Sequence, residues 1–145
     1  RTAGSTCALP RVQSVLLDAG ALVAILNRND RHHVDLVELL ESFQGRLFTT
    51  WPVIGEACAL VSERAQIRVL DWIVEAGVEI VSIDAGLEFM RKQMIDYADL
   101  PCDFADASLL YAAWSTKVRD VWTIDSDFPV YRLPDRSRFK VNPIQ

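Results

Sequence analysis

The chain has 145 residues, half of them hydrophobic and 24% charged, with a formal net charge of −5. That length and balance fit one soluble globular domain with a sizeable core, and no apolar run approaches the length of a membrane span. The acidic total argues against a module that coats nucleic acid through many phosphate contacts, so any such role must rest on a local basic patch, a metal ion or a partner. Residues 1–10 lack an initiator Met and read as a flexible leader or remnant ahead of one domain over 11–145; no signal peptide is visible. Cys7, Cys58 and Cys102 form neither a disulfide framework nor a zinc pattern, which fits a reducing, cytoplasmic setting.

Residues 14–17 read as a short buried strand ending on Asp18, followed by a helix over 19–26 and a loop at 27–30. Leu36, Leu39, Leu40 and Phe43 fall at helical spacing, with Gly45 ending that helix, and 46–50 is a second strand. Trp51-Pro52 opens a helix through about residue 62, with Glu56 near its first turn. A further amphipathic helix turns Ile67, Leu70 and Ile73 or Val74 inward and closes at Gly77; 78–83 is a third strand. Leu87, Met90, Met94 and Tyr97 mark another helix, with Arg91 and Lys92 outward. A helix over 104–117 is apolar all round and therefore expected to be buried. A fourth strand over 120–124 ends on Asp125, and the tail offers an edge strand at 139–141. Strands alternating with helices imply an α/β fold, a three-layer sandwich with a central parallel sheet covered on both faces.

Asp103 is placed as the N-cap of the 104–117 helix, with Asp106 three residues on, an acidic variant of a capping box. Capping and the helix dipole would stabilise carboxylates there without any further role, so this stretch alone leaves the choice open. Acids arriving from elsewhere decide it. Ligands of open parallel sheets sit beyond the carboxyl ends of the strands, where Asp18 and Asp125 stand. With Asp106 and Glu56 at the starts of two helices, four carboxylates from four elements can meet at one rim. Such a cluster repels itself unless a cation neutralises it, and without His or Cys in the set a hard ion, Mg²⁺ or Mn²⁺, is the natural occupant. That ion would polarise a substrate phosphate, acidify an attacking water and steady the leaving oxygen.

Four segments, in order, carry a resemblance: Leu-Leu-Asp18-Ala-Gly-Ala-Leu-Val-Ala, Thr-Thr-Trp-Pro-Val-Ile-Gly-Glu56-Ala-Cys, Asp103-Phe-Ala-Asp106-Ala-Ser-Leu and Thr123-Ile-Asp125-Ser-Asp127-Phe. Over about residues 15–141 the chain resembles PIN-domain proteins, and more narrowly the VapC-type toxin ribonucleases of bacterial toxin–antitoxin pairs. The resemblance implies a Mg²⁺- or Mn²⁺-dependent endoribonuclease that hydrolyses RNA and forms a homodimer, with a cognate antitoxin protein occluding its acidic groove. It implies that Asp18, Asp106 and Asp125 ligate the metal and Glu56 holds a metal-bound water, with Asp103 and Asp127 as supporting or second-metal acids. Ala19 and Gly55 depart from the family pattern, where a small hydroxyl or amide residue and a Thr are usual. Both fall where hydrogen bonds orient ligands, which keeps a catalytically weak RNA- or protein-binding module as the alternative. A phosphoacceptor receiver domain ranks third, with Asp84 its only candidate.

Several residues carry plainer readings. Asp103 can be an N-cap and nothing more, and Asp127 reads first as a turn former before Phe128-Pro129. Adjacent His32 and His33 do not share a helix face and suit a surface or capping role. Ser108 has no base nearby in sequence and is no nucleophile. Arg132, Arg136, Arg138 and Lys140 suit either RNA phosphates or a solvated loop. Trp72 and Trp114 read as core packing by default.

Overall fold

A computed structural model describes residues 12–143; the leader expected over 1–10 lies outside the described residues, as does Cys7. In chain order the elements are β1 (Gln13–Leu17), α1 (Ala19–Leu26), α2 (His33–Ser42), β2 (Gly45–Thr49), α3 (Trp51–Ala59), α4 (Glu63–Glu75), β3 (Glu79–Ile80), α5 (Leu87–Asp96), α6 (Phe104–Thr116), β4 (Asp120–Trp122) and β5 (Lys140–Asn142). Single 3₁₀ turns lie at Asp84–Gly86 and Phe128–Val130. The sheet runs β3-β2-β1-β4-β5 with every pair parallel, and helices cover both faces, as expected of a three-layer α/β sandwich. The chain steps outward from β1 to β3, then crosses over to β4 and steps outward the other way to β5. Strand order therefore reverses between β1 and β4, the place where such sheets open a crevice.

The central elements follow directly from their side chains. Leu16 and Leu17 of β1 are fully buried, and α6 buries every residue from Ala105 to Leu110, so neither shows a polar stripe. α4 ends in a Schellman arrangement: Val78 N–H donates to the Ile73 carbonyl and Gly77 N–H to that of Val74. Gly77 takes φ +67° there, which an L side chain resists.

Three expectations need correction. The inward face of α4 is Val69 and Ile73, while Ile67, Leu70 and Val74 are exposed. Apolar residues occupy both sides of this helix, so spacing alone picks no face; packing on α1 and α3 does. In α5, Met90 and Gln93 are buried whereas Leu87 and Met94 are exposed; Arg91 and Lys92 point outward as expected, paired with Glu88 and Asp96. Gly45 does not end a helix: α2 stops at Ser42 and Gly45 opens β2, paired with Gln13. Boundaries also move slightly. The third strand shrinks to two residues, and the edge strand starts one residue later than expected.

Candidate active site

Asp18 ends β1 and caps α1. Its Oδ1 accepts from the Ala19 amide at 2.8 Å and its Oδ2 from the Thr123 hydroxyl at 2.6 Å. Thr123 follows β4, and the same Oγ1 accepts from the Asp125 amide at 2.9 Å. One hydroxyl thus ties the first acid to the last across the strand-order reversal. The two corners also touch: a Cβ on Gly20 would lie 2.6 Å from the Ile124 side chain, which would have to move to admit a larger residue.

Asp106 enters from the first turn of α6. Its amide donates to Asp103 Oδ1 at 2.8 Å, and the Asp103 amide donates back to Asp106 Oδ2 at 3.2 Å, a complete capping box. Capping does not use up the residue, because one carboxylate oxygen each from Asp18, Asp106 and Asp125 lies within 4.8 Å of the others. Glu56, half-buried on α3, lies close enough to Asp103 for the Asp103 charge to act on it. Thr50, just before α3, and Ser108 on α6 are fully buried with their hydroxyls 2.6 Å apart. Since Ser108 donates to the Ala105 carbonyl at 2.7 Å, Thr50 is the donor of that pair. This link holds together the helices that carry Glu56 and Asp106.

The structure therefore brings together Asp18, Asp106 and Asp125, with Glu56 and the exposed Asp103 close by. Asp127 contributes its amide, which donates to Asp125 Oδ1 at 2.9 Å and closes an Asx turn. Its carboxylate is not in the three-acid group. Asp84 lies exposed in a 3₁₀ turn, apart from the cluster. Thr123 was not among the expected site residues. The available signal was a hydroxyl residue where β4 ends, two positions before an acid.

Electrostatics set this pocket apart. Burial pushes Asp18 up to about 6, against the lowering effect of its bonds from Thr123 and Ala19. Burial, then the charges of Asp103 and Asp18, push Asp106 up to about 8. Burial, then Asp103, push Glu56 up to about 7. Among the described residues no Lys or Arg pairs with any of these acids; the ion pairs lie elsewhere, on Glu79, Glu88, Asp96 and Asp135. Burial raises all three, and among the described residues nothing positive offsets their charge. An all-oxygen donor set with this deficit fits a hard divalent cation.

Other singled-out residues have structural partners. His33 Nδ1 lies 2.7 Å from the Ala24 carbonyl, and His32 accepts from Arg31. Arg132 donates to the carbonyls of Pro129, Val130 and Tyr131, while Arg136, Arg138 and Lys140 are exposed. Trp72 packs partly buried against the core; Trp114 is 38% exposed and stacks on Phe89.

The PIN domain sequence family matches residues 15–133. No curated protein matches the chain by sequence. Among solved structures, Mycobacterium tuberculosis VapC20, described as a Sarcin-Ricin loop cleaving toxin, superposes with a TM-score of 0.73 at 20% identity, over 80% of this chain and 93% of that one. FitAcB from Neisseria gonorrhoeae superposes with a TM-score of 0.51 at 21% identity, over 77% and 88%. At these identities the two structures bear on fold.

Proposed function

The chain belongs to the PIN domain family, and from that membership we propose that it is a Mg²⁺- or Mn²⁺-dependent endoribonuclease, the toxin of a toxin–antitoxin pair. The observation that carries the reading is the meeting of Asp18, Asp106 and Asp125 within 4.8 Å with no cationic side chain among the described residues paired to them. A divalent ion there supplies polarisation of a phosphate oxygen and a more acidic water. Buried Asp18 and Asp106 and half-buried Asp125 would hold it. Glu56, half-buried beside these acids, would orient an attacking water or take its proton. Asp103 tunes Glu56 by charge, and Asp127 fixes Asp125 through its amide.

RNA as substrate is supported by the fold shared with the VapC20 toxin. The exposed apolar face of Ile67, Leu70 and Val74 supports protein partners, an antitoxin and a second copy of the chain. Free Cys58 and Cys102 support a cytoplasmic setting, and no helix among the described residues is long and apolar enough to cross a membrane.

Purified protein without inhibitor is expected to cleave RNA in Mn²⁺. Asp106→Asn is expected to lower the rate about a hundredfold with its circular dichroism unchanged; a wild type that cleaves nothing overturns the reading. The binding-module alternative is favoured by Gly55, beside which a Cβ would meet only open space, so no side chain there steadies Glu56. Growth arrest that persists in Asp106→Asn would support that alternative.

A further inference from the structure

Tyr131 is completely buried, yet its hydroxyl is the one buried side-chain polar atom without a hydrogen-bond partner among the described residues. A buried phenol left unpaired is costlier than a Phe of the same shape, so the oxygen needs a task. The ring is held: it packs edge-on against Tyr97 at 5.0 Å and Phe128 at 5.1 Å, and its amide donates to the Phe128 carbonyl. The hydroxyl lies beside the Cys102 thiol, a poor acceptor, and Asp106 is the charged group acting on it most strongly, with Asp125 also in reach. No direct bond joins phenol and Asp106. A donor near a carboxylate but not touching it suits one bridging water.

We propose that Tyr131 is a positioning residue of the metal centre, its hydroxyl donating to a water that a divalent ion held by Asp106 keeps in its hydration shell. The inference rests on the metal-site reading above and extends it to a tail residue that no motif marks. It also accounts for a phenol buried where a Phe would pack equally well.

The test is calorimetric titration of the metal-free full chain with Mn²⁺, alongside thermal melts. Wild type is expected to bind and Asp106→Asn to lose binding. Tyr131→Phe is expected to melt no lower than wild type but to bind Mn²⁺ about tenfold more weakly. Cys102→Ser sets a good acceptor beside the phenol and draws its proton from the pocket, so it too is expected to weaken Mn²⁺ binding. Affinity within about twofold of wild type in Tyr131→Phe, or in Cys102→Ser should the first variant not fold, overturns the proposal while leaving the metal site standing. Wild type that binds no Mn²⁺, or Asp106→Asn that binds as well as wild type, overturns the metal site and the role of Tyr131 together.

Discussion

The Thr123 hydroxyl donates to Asp18 and accepts from the Asp125 amide, so two acids far apart in the chain share one oriented group. Thr123→Val keeps the shape and removes both bonds. It is expected to cost about 1–3 kcal/mol in urea unfolding and to weaken Mn²⁺ binding about tenfold, with Thr123→Ser restoring most of both. The four main acids were legible in the sequence because each stands at a strand end or in the opening turns of a helix. The tasks of Thr123 and Tyr131 were not. The first depends on a partner 105 residues away, and the second on which way a buried ring points, and neither leaves a local pattern.

At the scale of elements, α6 shows that cap and site coexist. Asp103 closes the capping box and also charges Glu56 and Asp106. Asp103→Ala is expected to cost about 1 kcal/mol of stability. Asp103→Asn keeps the accepting oxygen, so its melt should stay near wild type while Glu56 and Asp106 titrate at lower pH, as followed by carboxyl NMR. α4 makes the opposite point. Its periodicity was plain but its buried side was not, since Val69 and Val74 look alike in sequence and differ only in what packs on them. Val69→Ala is expected to cost about 2 kcal/mol, Val74→Ala less than about 0.5 kcal/mol, by chemical denaturation. α1 and β1, with fully apolar interiors and an acid between them, were read nearly to the residue; the two-residue β3 was not, because so short a strand is defined by its pairing with β2 alone.

Across the whole molecule, the acidic cluster couples stability to pH, and on the proposed metal-site reading it would couple stability to a divalent ion as well. Asp18, Glu56 and Asp106 bind protons more tightly folded than unfolded, at about 6, 7 and 8 against ordinary values of 3.8, 4.5 and 3.8. The folded state therefore holds more protons between about pH 4 and about pH 8, and this contribution to stability is lost as pH rises through that window. Metal-free protein is expected to melt at a lower temperature near pH 8 than near pH 5. Mn²⁺ at about a hundred times its Kd should restore about 2.7 kcal/mol at the higher pH, and much less at the lower, where protons compete for the same oxygens. Scanning calorimetry at the two pH values, with and without Mn²⁺, reads both effects.

The parallel pairing of β1 with β4 has a consequence for how the protein is made. One of these strands leaves the ribosome early and the other near the end of the described chain, and they meet only through a long-range contact. A growing polypeptide exposes Asp18 and Glu56 well before Asp106 and Asp125 have been made. The three-acid group is thus complete only once β4 has docked beside β1.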